Sequence, residues 1–366
     1  MVTLVVGAPI AAWGEDAGGW ERPGIIDAHA HLHASAIPRV ERIMNENGIV
    51  AMVNLSGGNF AQGVLPGLAL MESGPLAGRI ITAYNPDFRG LDDPMWGLAE
   101  AEGLEVAVRR FGYRALKISK ALGLYLRDEA GVLLDVDDPR FDPLWEKAGE
   151  LDVPVFIHVA DPRAFWNPPT RDNERWEELS WHPEWSFWNT DAPHWSLLLD
   201  ALERVVAAHP LTTFVLVHFG NNAEDLDYVD RMLRRYPNAW VDIGARVPEI
   251  GRHPAHRVRD VFERWSDRIL FATDLGAGRN HLVLGSSGDD REVKTEADAR
   301  DFYQCHFRFL ETHDRDFAHP TPIQGRWTID GIGLSRDALT RIYQTNALRL
   351  FGLRIVPRVA NGASRP

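Results

Sequence analysis

The stretch Ile25-Ile26-Asp27-Ala28-His29-Ala30-His31 decides both the fold and the site that we predict. Residues 25–30 are mostly apolar, which predicts a buried strand. Residues two apart in a strand point to the same face, so His29 and His31 converge at the carboxyl end of this strand. Neutral imidazole is the commonest side-chain ligand of zinc and related metals. The pair therefore predicts one half of a metal site.

Seven further apolar runs predict strands, at residues 49–55, 80–84, 115–119, 155–159, 214–218, 240–243 and 269–273. Helical patterns alternate with them, at residues 98–111, 143–151, 195–208, 223–236 and 255–265, with a last helix at 335–351. Strands that alternate with helices indicate a parallel sheet covered by helices. Eight such strands in a chain of 366 residues predict the α/β class and a single (β/α)8 TIM barrel over residues 24–353.

The alternative to the barrel is an open, doubly wound parallel sheet. That fold normally carries a glycine-rich phosphate-binding turn after its first strand. The corresponding position here reads His29-Ala30-His31-Leu32-His33, which contains no glycine. We therefore favour the closed barrel.

Two connections are longer than simple turns: residues 161–193 after the fifth strand and residues 275–298 after the eighth. Long loops in compact domains often carry a function. The first contains five tryptophans, and this aromatic content argues against disorder. The second contains a segment rich in Gly and Ser, residues 285–290, which we expect to be mobile. Residues 1–23 and 354–366 are predicted to be tails outside the barrel.

The composition excludes some classes of function. A formal net charge of -13 argues against a nucleic-acid-binding protein, which usually presents a basic face. The single cysteine, Cys305, excludes an intramolecular disulfide and a cysteine-rich zinc site, and we interpret it as a packing residue. No segment reaches membrane-spanning length. The apolar run at residues 2–13 has no preceding Lys or Arg and is either a signal-peptide remnant or a tail, so the localisation stays open. The oligomeric state also stays open, and a homo-oligomer is compatible with the sequence.

Three further polar residues interrupt apolar runs at the carboxyl ends of predicted strands. His158 lies at the end of the fifth strand, His218 at the end of the sixth, and Asp274 directly after the eighth. Enzymes with a TIM barrel build their active sites at this end of the strands. Burying each group separately, without a partner, would be costly. One shared site is therefore the better explanation.

Basic residues near the same barrel end are candidates for binding an acidic substrate. Lys117 and Lys120 flank the end of the fourth strand, and at least one of them is expected to reach solvent. A lysine in the barrel mouth could bind an anion, or it could be carboxylated and bridge two metals. Arg246, beyond the seventh strand, could hold a carboxylate in a two-pronged pair, or Glu249 could be its structural partner. Three arginines of the long loop compete for the same role: Arg163, Arg171 and Arg175.

At these residues the sequence resembles the amidohydrolase superfamily, and within it the amidohydrolase-related group that includes enzymes like aminocarboxymuconate-semialdehyde decarboxylase. The matching pieces are Asp27-Ala28-His29-Ala30-His31, His158, His218, Phe271-Ala272-Thr273-Asp274 and Tyr343-Gln344-Thr345-Asn346-Ala347-Leu348-Arg349-Leu350-Phe351-Gly352, spread over residues 24–352. Members of this superfamily hydrolyse amides and lactones, decarboxylate, or hydrate double bonds. The fold therefore does not select the reaction.

The resemblance implies one divalent metal, usually zinc, bound by four residues: His29, His31, His158 and Asp274. It also implies that His218 orients the metal-bound water or polarises the substrate. Asp274 would in addition take the proton of that water and pass it to the leaving group. A second metal is expected only if Lys117 is carboxylated.

Three functions are compatible with such a site. The first is a metal-dependent hydrolase that uses an activated water on a C–N or C–O bond of a small molecule. The alternative is a metal-dependent lyase, a decarboxylase or hydratase, whose carboxylated substrate requires a positive pocket. Lys117 and Arg246 are the candidates for that pocket. The third is a non-catalytic barrel that binds ligands through the Trp-rich loop, which leaves the five polar residues at the strand ends unexplained.

Overall fold

The first barrel strand, Ile25–Leu32, has seven of its eight residues buried. The next six strands are Ile49–Asn54, Ile80–Tyr84, Ala115–Ile118, Val155–Ile157, Phe214–Leu216 and Ala239–Asp242. Each pairs in parallel with the strand before it. These strands are buried on both faces, as expected when helices cover the outside and side chains fill the inside. The structure is a computed structural model that describes residues 2–6, 10–11, 20–63, 65–285 and 293–357.

A single segment of chain closes this sheet into a barrel. Ile269–Leu270 pairs with the seventh strand, and Leu275–Ala277 pairs with the first strand, both in parallel. Between these two pieces, Ala28 N donates to Phe271 O and Asp274 N donates to His29 O, each at 2.9 Å. The prediction of an α/β barrel with long loops after the fifth and eighth strands is confirmed.

The predicted extent of the eighth strand, residues 269–273, is wrong, because the strand stops at Leu270. Thr273 directs its backbone N–H and its hydroxyl to the side-chain carboxylate of Asp27, at 3.1 and 2.6 Å, and not to a backbone carbonyl of the neighbouring strand. Asp274 adopts a φ of 61°, in the left-handed region. A pleated strand cannot continue through such a residue.

The sixth strand also ends earlier than predicted, at Leu216 and not at residue 218. His218 and Phe219 both adopt left-handed conformations, with φ of 56° and 54°. The backbone N–H of His218 donates to Asp242 Oδ1 at 2.9 Å, which fixes this turn against the end of the seventh strand.

In the described part of the chain, seven helices of nine or more residues surround the sheet: Ile37–Asn47, Trp96–Phe111, Asp142–Glu150, Trp195–Ala208, Leu226–Arg235, Ala255–Arg264 and Glu296–Glu311. Five of them agree with predicted helices to within three residues at each end, and no range was predicted for Ile37–Asn47 or Glu296–Glu311. The predicted helix at 335–351 is divided into Arg336–Thr340, a π-helical turn at Arg341–Thr345, and Asn346–Leu350. Ser335 caps the N-terminus of the first of these segments, because its side chain accepts a hydrogen bond from Ala338 N.

The loop at residues 161–193 is built from short helical turns, Arg163–Trp166, Trp176–Trp181 and Pro183–Trp185. Trp166 stacks on Phe187 with ring centroids 4.4 Å apart, so the aromatic residues of the loop pack as predicted. Most of the segment at 285–290, which we expected to be mobile, lies outside the described residues.

The ends of the described chain pair with each other. Val2–Val6 runs parallel to Leu353–Pro357, with Val2 opposite Leu353 and Val6 opposite Pro357. The predicted tails at 1–23 and 354–366 fall partly outside the described residues, so the barrel boundaries stay a prediction. Across the described part of the chain, none of the helices has the length and apolar composition needed to span a bilayer.

Candidate metal centre

Three of the predicted metal ligands lie together at the mouth of the barrel. The rings of His29 and His31 are 5.3 Å apart between centroids. Nε2 of His29 lies 3.4 Å from Oδ1 of Asp274, and Nε2 of His31 lies 3.3 Å from the same oxygen. The possible ligand atoms of these three side chains all lie within 4.8 Å of one another. Positions 29 and 31 of the first strand therefore face the end of the interrupted eighth strand.

The chemistry of this group fits a divalent metal. His29 Nε2 and Asp274 Oδ1 are buried, and neither has a hydrogen-bond partner among the described residues. Leaving polar atoms buried without partners is unfavourable, and a bound cation removes that cost. Two imidazole nitrogens and one carboxylate oxygen are ligands that zinc, manganese and related ions accept in proteins.

Asp242 orients this group, and the sequence analysis did not identify it. Its Oδ2 accepts from Nδ1 of His29 at 2.9 Å, while its Oδ1 accepts from the backbone N–H groups of His218 and Gly244, at 2.9 and 3.0 Å. Both oxygens are thus engaged, and Nε2 of His29 is left facing Asp274. Asp242 ends the apolar seventh strand, just as His158 and His218 come after the apolar fifth and sixth strands. A polar residue at that position is the sequence signal that could have identified Asp242.

His218 lies beside His29, with ring centroids 5.0 Å apart. Its Nδ1–H donates to Gly244 O at 2.8 Å, so Nε2 of the neutral ring carries no proton. Nε2 can therefore accept a hydrogen bond or bind a metal. Burial lowers the pKa of His218 well below its usual value, and His158 and Arg246 lower it further. Gly244 is closely packed, since a Cβ there would lie 3.2 Å from Nδ1 of His29.

The carboxyl group of Asp274 is ionised in these surroundings. Burial by itself would raise the pKa of its carboxyl group, but the imidazoles of His29, His31 and His218 bring that pKa well below its usual value. The Asp274 carboxylate therefore stays ionised and is suited to bind a cation. Its Oδ2 lies 4.0 Å from Nδ1 of His218.

His158 lies in the same cavity, but outside the compact group of ligand atoms. Its ring is 4.4 Å from that of His218. Its Nε2 lies 3.2 Å from Ala160 O and 3.6 Å from Asp161 Oδ1, so this nitrogen is directed away from His29 and Asp274. The role of His158 as a metal ligand stays a prediction.

The two lysines of the fourth strand differ in their surroundings. Lys117 is 5% exposed, and its Nζ has no hydrogen-bond partner in the described part of the chain. Burial lowers the pKa of Lys117 to about 8, although Asp242 and Asp274 oppose this effect. Lys120 is the lysine that reaches solvent, as expected, and it pairs with Asp161 at 2.5 Å.

Arg246 is buried in the cavity wall, and its Nη1 donates to Ala245 O at 2.8 Å. It forms no ion pair with any of the described residues. The alternative prediction that Glu249 is its partner is wrong, because Glu249 pairs with the guanidinium of Arg175. Of the three loop arginines considered, Arg175 alone lines the cavity, while Arg163 and Arg171 are exposed.

The candidate metal ligands, His158, His218, Lys117 and Arg246 line a cavity of about 370 Å³, and part of its wall is aromatic. Phe165 and Trp185 of the long loop form that wall, with nearly parallel rings 6.4 Å apart between centroids. This volume is sufficient for a small aromatic molecule. A larger cavity of about 600 Å³ lies beside the helix Glu296–Glu311, and no metal-binding group of the described residues lies in it.

A closed parallel barrel with histidines and an aspartate at the carboxyl ends of its strands is the arrangement of metal-dependent barrel hydrolases and lyases. The comparison with known families agrees: residues 26–353 match the family described as amidohydrolase. The chain belongs to the amidohydrolase family, as the resemblance implied.

Several of the relatives are decarboxylases. The chain is 29% identical over 219 residues to a gamma-resorcylate decarboxylase of Rhodococcus jostii, a match that covers 52% of this chain and 61% of that protein. The crystal structure of a 2,6-dihydroxybenzoate decarboxylase from Rhizobium aligns over 90% of this chain and 99% of its own, with a TM-score of 0.51 and 17% identity.

A third structure is a dihydroxybenzoic acid decarboxylase from Polaromonas with bound manganese and the inhibitor 2-nitroresorcinol. It aligns over 90% of this chain and 97% of its own, with a TM-score of 0.50 and 15% identity. At such identities the two solved structures establish only the shared fold.

Proposed function

We propose that this protein is a metal-dependent lyase that decarboxylates a small aromatic carboxylic acid. The observation that carries this proposal is Arg246, a buried cation in the cavity without an ion-pair partner among the described residues. A buried charge is stable only when it is paired, and a substrate carboxylate can supply that pairing. Decarboxylases named among the relatives support the same reaction class.

The aromatic wall supports the proposed substrate class. Phe165 and Trp185 line the cavity, and flat aromatic ligands gain both apolar burial and ring contacts against such side chains. The wall lies in the same cavity as Arg246 and the candidate metal ligands. An aromatic ring with a carboxylate and neighbouring hydroxyl groups would suit the aromatic wall, Arg246 and the candidate metal site.

We assign His29, His31 and Asp274 to the metal, whose identity stays open between zinc and manganese. When bound, a divalent ion there supplies a Lewis acid for an oxygen atom of the substrate. Asp242 holds the ring of His29 in the orientation that this requires.

The protein must also replace the lost carboxyl group by a proton. The bond between the ring carbon and the carboxyl carbon breaks, CO2 leaves, and a proton forms the new C–H bond at that carbon. We assign this proton transfer to Asp274, whose carboxylate takes up a proton from solvent and passes it to the ring carbon. Nε2 of His218, the ring nitrogen that carries no proton, is available to accept a hydrogen bond from the substrate. The group that gives up the proton regains it from solvent.

The sequence favoured hydrolysis and kept the lyase as an alternative. Hydrolysis of a C–N or C–O bond uses the same metal group but does not require a buried arginine without a carboxylate partner. Both Arg246 and the names of the relatives therefore favour the lyase.

The experiment is a substrate panel with the purified protein loaded with Mn²⁺ or Zn²⁺. We expect CO2 release from at least one hydroxybenzoate, with 2,6-dihydroxybenzoate tested first, and loss of that release after chelation. Aromatic amides and lactones of similar size test hydrolysis in parallel. Hydrolysis of one of these, with no CO2 release from any aromatic acid, would show that the lyase proposal is wrong.

A further inference from the structure

Arg175 forms a buried cluster with two carboxylates beside the proposed substrate cavity. Its Nη1 donates to Glu178 Oε2 at 2.6 Å, and its Nη2 forms an ion pair with Glu249. All three side chains are almost completely buried. The cluster joins the long loop, which carries Arg175 and Glu178, to the helix Val247–Gly251, which carries Glu249.

Arg246 immediately precedes that helix, three residues before Glu249. The two side chains are neighbours in sequence and opposite in charge, yet they form no ion pair, because Arg175 occupies the carboxylate of Glu249. Arg175 also occupies Glu178, which lines the same cavity as Arg246. Glu178 and Glu249 are thus both neutralised by a single guanidinium. Two further acids act on the charge of Arg246, and each has another donor: Glu224 accepts from Arg163 N at 3.1 Å and Asp161 accepts from Lys120 at 2.5 Å.

We propose that Arg175 is a positioning residue for the substrate carboxylate: by binding Glu178 and Glu249, it keeps Arg246 free for the substrate. This inference rests on the proposed function, in which Arg246 binds that carboxylate. Arg175 acts through the two glutamates and does not need to touch the substrate itself. A guanidinium is suited to this role because its planar fork can serve two carboxylates at once.

Loss of Arg175 has a defined consequence. In Arg175→Met, two buried carboxylates lose their counter-charge, and they then compete with the substrate for Arg246. Carboxylate ligands should bind less tightly, whereas ligands of the same shape without a carboxylate should not. Neutralising the glutamates as well, in Arg175→Met/Glu178→Gln/Glu249→Gln, removes the competitors and should restore carboxylate binding.

The experiment measures dissociation constants for benzoate, with phenol as the matched ligand that lacks the carboxylate. Binding is followed by the fluorescence of the native tryptophans, since Trp185 lines the cavity. We expect benzoate affinity to fall at least tenfold in Arg175→Met and to return to within threefold of wild type in the triple variant. Phenol affinity should stay within threefold throughout, and circular dichroism checks that each variant is folded.

Glu174→Gln is the control for a purely structural role of the loop. Glu174 precedes Arg175 and ties the same loop to Arg252 at 2.6 Å, but it lies outside the cavity and is exposed. It should leave benzoate affinity unchanged. If the triple variant binds benzoate as weakly as Arg175→Met, the effect comes from loop structure and the inference is wrong.

Two further variants complete the test. If Arg175→Met does not fold, Glu249→Gln provides the test, because it removes one competitor for Arg246. This variant should bind benzoate at least as tightly as wild type. Weaker binding would overturn the inference. Arg246→Met separates this inference from the proposed function. If Arg246→Met binds benzoate like wild type, the proposed function fails too; if it loses benzoate and the triple variant stays weak, only the role of Arg175 fails.

Discussion

Oδ2 of Asp242 lies 2.9 Å from Nδ1 of His29, and both side chains are completely buried. Asp242 comes from the seventh strand and His29 from the first, so the contact spans the interrupted eighth strand that lies between them. A carboxylate that accepts from one ring nitrogen of a histidine fixes the tautomer and leaves the other nitrogen as a metal ligand. The metal affinity of the site should therefore depend on a residue that does not bind the metal.

Asp242→Asn tests this dependence. The amide keeps the size of the side chain but weakens the contact with His29 Nδ1 and disturbs the hydrogen bonds to His218 and Gly244. We expect metal affinity to fall by about 10–100-fold, as is usual when a group that orients a ligand is changed. Metal titration with a competing chelator measures this.

Asp230→Asn is the matched control for that substitution. Asp230 is also held by hydrogen bonds, from Arg234, Arg264 and Trp265, but it lies on the helical surface away from the barrel mouth. Its substitution should leave metal affinity unchanged. Equal losses of affinity in both variants would mean that the effect is general destabilisation and not the orientation of His29.

Trp185→Ala should weaken the binding of aromatic substrates. Trp185 lines the cavity and stacks on His182 with ring centroids 4.0 Å apart. Removing the indole exposes one face of the substrate, at a cost of about 1–2 kcal/mol, or roughly tenfold in KM. Steady-state kinetics on the best aromatic acid measures the change, and kcat should change less than KM.

Trp188→Ala provides the comparison for Trp185. Trp188 belongs to the same loop, but it is 51% exposed and does not line the cavity. Its substitution should leave KM unchanged. If both variants behave alike, the aromatic wall does not contact the substrate.

His306 predicts a pH dependence of stability that is separate from the site. Burial between Phe302 and Phe271 lowers its pKa from 6.5 to about 4. The folded state keeps the imidazole neutral, so unfolding takes up a proton below pH 6.5. The contribution of His306 to the free energy of unfolding is complete above that pH. Below pH 6.5 this contribution falls by about 1.4 kcal/mol per pH unit, until roughly pH 4.

His306→Asn should remove this contribution, because the amide carries no titrating proton and can still donate to Phe302 O. Denaturant unfolding between pH 7 and about pH 4.5 measures the free energy of unfolding of both proteins. The advantage of wild type should shrink as the pH falls. Parallel curves for the two proteins would contradict the prediction, and the same substitution at the exposed His256 should have no effect.

The sequence predicted most of the fold because its signals are local. Apolar runs place seven strands to within two residues at each end, and the strand period of two brings His29 and His31 to one face. The left-handed turns at His218 and Asp274 were missed, because neither position has a glycine, the residue that usually indicates a positive φ. Both turns depend on hydrogen bonds from distant residues, which no local pattern contains.

The charged contacts around the site were harder to predict. Glu249 is close to Arg246 in sequence, but its partner is Arg175, more than seventy residues earlier. Which of two arginines a buried glutamate selects depends on how the long loop folds over the barrel. Asp242 was overlooked for a different reason, since it is a single carboxylate in a strand with no second polar residue to draw attention to it.

The metal content of the purified protein tests the central claim most directly. The account predicts about one equivalent of zinc or manganese per chain after loading and dialysis, lost with activity on chelation and regained with either ion. Asp274→Asn should reduce that content severely while the protein stays folded. Binding of less than about a tenth of an equivalent of any divalent metal, with no gain of activity on adding metal, would contradict the account.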